Sequence, residues 1–500
     1  MSRFKPVAFV LLSLALALGA VPAAAQMALP SNVAATCTVS SSEFASWFKS
    51  GSPSLGGAVN GADSVGFPTD NTVCDFYQWG AQMFLWLTSP AEDGLILDSE
   101  GIFNVLPADS QGVRFLQPND GTPYFALRAE KFDDIGEVGQ AGSGGVLMSQ
   151  GKSLVFYGVH VNDTYAYFLI GQKTGGINAT VFPRNQTDLT TVESYAKSNL
   201  GAVPVAPQTL VMEMKTAWVD ASTLSNPNDF VLMEAQVPTY TANADNTQWT
   251  LSGAETTTLA LVGVHIVGTV QNHPEFVWIT FEHIQNAPDA AYYYTNSQNQ
   301  VAQQPYDSSG TFTFMATNGS ESGANTECMK ASGANIVAVM SGSSPTCTGG
   351  IVPSNTARTY PWGSTANSTD SAVVSNNTLL LSINQSVRGQ LTSGDVRGNY
   401  LQTGGIWTSA PSATADAPIP NTSSFSSGDL RGSLEAFNAT METYVQGTSC
   451  FSCHAQSSTA PNSFQPFQLS HIYSQIAPVI IDPVVPVTPD SAKAKKSKKN

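Results

Sequence analysis

The stretch of the chain best suited to a defined chemistry is Cys450-Phe451-Ser452-Cys453-His454, a C-x-x-C-H motif with 46 residues beyond it. Two thiols at this spacing can add to the two vinyl groups of one haem and form thioethers. The adjacent histidine then lies beneath the iron and ligates it through its imidazole. The competing reading is a dithiol or disulfide C-x-x-C followed by an unrelated histidine. A redox C-x-x-C usually opens a helix after a strand. Here Leu434, Phe437, Met441, Tyr444 and Val445 have the spacing of an amphipathic helix that runs into the motif. That favours covalent haem, one per chain, with Cys450 and Cys453 as anchors and His454 as the proximal iron ligand.

The second axial ligand is less defined. No methionine follows Met441, so a downstream Met is excluded. His471, 17 residues past His454, is the local candidate and would give bis-histidine iron. Met441, a group from elsewhere in the chain and an open position are the alternatives. Among the other histidines, His265 and His283 fall on one face of a hairpin if it turns about His273, with Phe281 opposite His265. They read either as a ligand or proton-relay pair or as two hydrogen-bonded core imidazoles, and a one-residue slip would separate them. Glu282-His283 is the polar pair at that strand end, and His160 reads as structural.

Other chemistries lack support. The sequence has no G-x-G-x-x-G, Walker loop, H-E-x-x-H or G-x-S-x-G. Two of the 21 basic residues lie in the first 25 positions and five near the end (Lys493, Lys495, Lys496, Lys498, Lys499). That leaves 14 against 37 acidic residues, which argues against a nucleic-acid partner. Arg3 and Lys5, an apolar run over 7–20 and Ala23-Ala24-Ala25 read as a cleaved signal peptide. The expected location is therefore periplasmic or extracellular, with no membrane span in the mature chain. Four further cysteines in an exported chain predict two disulfides, Cys37–Cys74 and Cys328–Cys347 on nearest-neighbour grounds.

The elements that must position the motif read as follows. Residues 75–87 carry helical spacing and end before Pro90. From about residue 150 the period changes to two. Strands over 153–161 and 164–171 flank an Asn162-Asp163 turn. Others cover 210–219, 230–237 up to Pro238, and the pair 259–270 and 275–284. Shorter candidates lie at 311–315, 336–339 and 377–381. Residues 408–427 read as a linker, 469–476 as a short helix, and 477–489 as too proline-rich for helix. The fold class predicted is α+β and β-rich: a large antiparallel sheet or sandwich over 26–427, with a small helical haem c segment over 428–480 packed on it. A Pro-rich and Lys-rich tail, 481–500, follows.

Several stretches together resemble a family of exported bacterial proteins identified only as cytochrome c family members. They are FLWL at 84–87, Glu213-Met214-Lys215 with Trp218, Gly263-Val264-His265-Ile266-Val267, VWITFEHIQNAP at 277–288, METYVQ at 441–446 and SCFSCH at 449–454. The resemblance implies one C-terminal haem c and a large domain of undefined role, and it supplies no substrate. Family members carry Asp-Phe-Ser-Phe where this chain has Gln468-Leu469-Ser470-His471, so the resemblance does not extend to His471. Two readings follow. One is an exported electron carrier exchanging single electrons with a redox protein or a small-molecule donor or acceptor. The other is a haem oxidoreductase of peroxidase or oxidase type with an open distal site. The C-terminal segment is too short to bury a haem alone, so the large domain is expected to pack against it.

Overall fold

The computed structural model describes residues 26–481 except 28, 93, 110, 120–144, 409–418, 421–429, 436–437, 448, 455–462, 465 and 471. The expected signal peptide, most of the expected linker over 408–427, His471 and the Lys-rich end therefore lie outside the described residues.

Twelve strands form one sheet: β1 Ile102–Val105, β2 Arg114–Pro118, β3 Phe156–Asn162, β4 Met212–Asp220, β5 Leu232–Ala242, β6 Gln248–Val270, β7 His273–His283, β8 Met329–Ser332, β9 Asn335–Ala338, β10 Tyr400–Thr408, β11 Leu430–Gly432 and β12 Ile476–Ile480. The order is β11-β10-β7-β6-β4-β3-β1-β2-β12, with β5 and β9 pairing on the long β6 and β8 on β9. Every pairing is antiparallel except β12 on β2, so the sheet is mixed. The described residues thus form one broad sheet covered by helices, with four two-stranded ribbons beside it, and the expected sandwich is not what they build. The segment 428–480 supplies β11 at one edge and β12 at the other, so it is woven into the sheet.

Among the described residues the α-helices are α1 Ser41–Trp47, α2 Val73–Leu87, α3 Asp163–Lys173, α4 Gln186–Tyr195, α5 Ser371–Gln390 and α6 Cys450–His454. Helix α2 forms where its spacing predicts, opened by a reciprocal capping box between Thr72 and Asp75. It lies close on one sheet face: a Cβ on Gly80 would meet Ile279 at 2.8 Å, and Phe84 stacks on Phe281 with centroids 4.4 Å apart. Helix α5 completes that layer. On the opposite face, α3 and the C-terminal segment share a core with Phe276, Trp278, Val267 and Ile406.

Several expectations are corrected. The second strand of the 153–171 hairpin is α3. Asn162 caps it by accepting from the Tyr165 N–H at 3.0 Å, and α3 is buried on nearly every side, so no period stands out in its sequence. Residues 377–381 lie inside α5, whose polar buried face hides it. Asn376 donates to the Trp362 carbonyl and Asn384 to that of Gln402, so amides occupy core positions. Strand β5 runs through Pro238, which an edge strand tolerates because a missing N–H on the open side costs no ladder bond. Residues 311–315 are not a strand. The described part of 434–445 is turns rather than helix. There the Asn438 side chain accepts from the Thr440 N–H at 2.9 Å, and Glu282 takes the Ala439 N–H at 2.7 Å, so local side chains compete for the helix bonds. In 469–476 a 3-10 turn over Pro466–Leu469 and further turns lead into β12.

Both expected disulfides are present, Cys37–Cys74 and Cys328–Cys347. Among the described residues no helix is long and apolar enough to cross a membrane.

Candidate functional site

The motif itself folds as α6. Cys450, Cys453 and His454 stand at i, i+3 and i+4 along this turn. Phe451 faces the protein, fully buried, its ring 6.1 Å from that of Trp278 on β7. The Cys450 side chain is half-buried beside the same cluster. The His454 ring is 8 % exposed, tilted at 63° against Trp278 with centroids 4.1 Å apart.

The orientation of His454 is set by a hydrogen bond of 2.7 Å between its Nδ1 and the Leu469 carbonyl. A carbonyl only accepts, so Nδ1 carries the hydrogen. In the neutral ring the lone pair then sits on Nε2, the tautomer a metal-ligating imidazole needs. The carbonyl is itself restrained. Leu469 is fully buried in the same cluster, and the Ser470 Oγ donates to Glu213 Oε2 at 2.6 Å. That Oγ also receives the Tyr473 N–H at 3.2 Å and lies 2.9 Å from the Tyr165 hydroxyl. Ser470 has one hydrogen and gives it to Glu213, so Tyr165 is the donor. Burial and the neighbouring Glu213 hold the Tyr165 hydroxyl well above its ordinary range, which keeps it protonated.

The residues present fit the attached group suggested by the motif: a sulfur anchor beside the surface of the cluster, an imidazole of the right tautomer, and an aromatic wall behind it. Cys450 and His454 could hold it from the described side chains. The Cys453 side chain and His471 lie outside them. Among the described residues no set of three or more His, Cys, Asp or Glu side chains gathers around a metal-sized space.

The other sequence candidates fall elsewhere. His265 pairs with Thr280, not Phe281, because the turn sits at Gln271-Asn272 and the register shifts between Gly268 and Val270. Phe276, at φ 71°, lies on β7 within that shift. His265 and His283 are therefore on opposite faces, and the relay pair does not exist. His265 meets Glu442 at 3.0 Å. His283 stacks on Phe230 at 3.6 Å and donates from Nε2 to the Asp229 carbonyl at 3.1 Å. Burial pushes it down to about 3, so it is a neutral core group. His160 lies between Asn104 and Thr216, also pushed down to about 3 by burial, and is structural. Glu282 forms a buried cluster with Arg358, at 3.3 Å, and Asp289, which meets Arg358 at 2.6 Å. Met441 belongs to a separate cluster with Val262 and Phe314, so it is a core residue.

Trp278, Leu469, Ser470, Glu213 and Tyr165 were not singled out as site residues by sequence. Glu213 and Trp278 lie within two of the stretches that carry the family resemblance, 213–218 and 277–288, but no local pattern linked either to the motif.

Comparison with protein-family models, with curated proteins and with solved structures finds no match for this chain.

Proposed function

We propose that this protein is an exported c-type cytochrome that carries one covalent haem and passes single electrons to and from a redox partner. The observation that carries the proposal is the C-x-x-C-H turn whose histidine gives its Nδ1–H to the Leu469 carbonyl. When bound, the haem iron would supply reversible one-electron chemistry. Cys450 and Cys453 would anchor the group covalently, and His454 would present Nε2 to the metal. Phe451 and Trp278 would exclude water from the ligand side, and an apolar, water-poor wall tunes a metal centre. The two disulfides fit an oxidising compartment. The open-site oxidoreductase is distinguished by spectroscopy on the purified protein. The carrier reading expects low-spin, six-coordinate iron that is unchanged by peroxide and carbon monoxide. High-spin iron that binds either ligand would overturn it in favour of an enzyme.

A further inference from the structure

We infer that Glu213 is a positioning residue for the His454 imidazole, acting through Ser470 and the Leu469 carbonyl; the inference rests on the haem reading above. The contacts form one continuous path. Nδ1 of His454 donates to the Leu469 carbonyl at 2.7 Å, and the next residue, Ser470, donates to Glu213 at 2.6 Å. The Leu469–Ser470 peptide is therefore held on both sides. On one side the Leu469 side chain is fully buried; on the other the Ser470 Oγ binds Glu213, Tyr165 and the Tyr473 N–H.

Glu213 comes from the middle of the sheet. On β4 it pairs with Val161 of β3 and Val267 of β6, so its backbone cannot shift without moving three strands. It is 2 % exposed. A buried carboxylate is costly unless its hydrogen bonds are made, and a hydroxyl donating to a carboxylate is a strong, short bond. The path therefore ties the orientation of a ligand in a five-residue turn to an interior strand paired on both sides. It also gives the large domain a defined task at the motif. Outer partners of a ligating histidine fix its tautomer and raise its basicity, and their loss typically changes metal binding tenfold or more.

Two arms test this. In the first, the haem-loaded protein is compared with Ser470→Ala, Glu213→Ala and Glu213→Gln by reduction potential and by low-temperature EPR. Ser470→Ala keeps the Glu213 charge but cuts the path. A less basic imidazole favours ferric iron less, so the potential should rise by about 59 mV if the preference falls tenfold, and the EPR g-values should spread. Glu213→Gln keeps an acceptor for Ser470, so it should preserve the EPR signature that Glu213→Ala loses. The second arm needs no haem. In a full-length Cys450→Ala/Cys453→Ala chain labelled with 15N-histidine, His454 should hold its proton on Nδ1, and adding Glu213→Ala should give a tautomer mixture. An unchanged potential and EPR spectrum in Ser470→Ala, or an unchanged tautomer with Glu213→Ala, would overturn the inference. If the wild-type chain carries no haem, the functional reading falls, while the tautomer arm still decides the positioning role.

Discussion

Replacing Trp278 by Ala isolates the contact between the sheet and the motif. The ring lies against His454 at 4.1 Å, Phe451 at 6.1 Å and Phe276 at 6.0 Å, and it is almost fully buried. The backbone pairings of Trp278 with Val267 and Ile406 remain, so β7 itself is kept. Truncating a buried tryptophan costs about 3–5 kcal/mol through lost transfer energy and the cavity left behind. Most of that loss should fall on α6. Trp278 packs on both Phe451 and His454 of α6, whereas residues 466–476 are also held by α3 through Lys173 and Gln172, and β7 is flanked by β6 and β10. At about 1.4 kcal/mol per tenfold, a local loss of about 3 kcal/mol raises the open population by roughly 100-fold. Hydrogen exchange with peptide-level readout measures this directly. Peptides covering the α6 turn, 450–454, should lose protection by that factor while peptides from β4 and β6 keep theirs. Trp278→Phe, which keeps an aromatic wall, should lose much less. The reasoning is refuted if Trp278→Ala weakens the sheet peptides as much as the motif peptides, or leaves the motif peptides unchanged.

Other predictions concern the buried ionisable groups. Asp163, at the first turn of α3, is raised to about 6 by burial, with Glu100 adding to the shift. Its native form binds its proton more tightly than the unfolded chain does, so the protein loses stability as pH rises from about 4 through 6. Asp163→Asn should therefore raise the melting temperature at pH 7.5, by an amount worth up to about 3 kcal/mol, and do little at pH 4; equal effects at both pH values would contradict this. His160 and His283 have the opposite sign. Both are depressed to about 3, so the stability they permit is full above pH 6.5 and lost as pH falls toward 3. His283→Gln should flatten the acid-unfolding slope over that window in a denaturant titration. Arg358→Met should cost about 3–5 kcal/mol, because it strands Glu282 and Asp289 in the core. Its combination with Glu282→Gln should recover part of the loss, and no recovery would show that the two are not coupled.

What was legible in the sequence follows from where local pattern and tertiary environment agree. Helix α2 shows clear spacing and a capping box, and the β4, β6 and β7 strands are long apolar runs. The four structural cysteines pair as nearest neighbours. The failures share a cause. Helix α3 is buried all round, and α5 places asparagines and serines in the core, so neither displays a helical stripe. The turns at 438–446 depend on Glu282, which is more than 150 residues away in sequence and invisible to local periodicity. The His265 and His283 pairing fails through a bulge, which a period-two reading cannot locate. At the site, the motif residues were plain from spacing. Their supports were not, because Trp278, Glu213 and Tyr165 reach the motif only after three separate elements assemble.

The central claim is that Cys450, Cys453 and His454 hold one covalent haem. The most direct measurement is the intact mass and alkaline pyridine spectrum of the full chain, exported from a bacterial host with a c-type maturation system. The expected result is a mass increase of one haem, a thioether-type haemochrome spectrum, and loss of both in Cys450→Ser/Cys453→Ser. A protein of unmodified mass whose Cys450 and Cys453 are recovered as thiols or as a disulfide would contradict it.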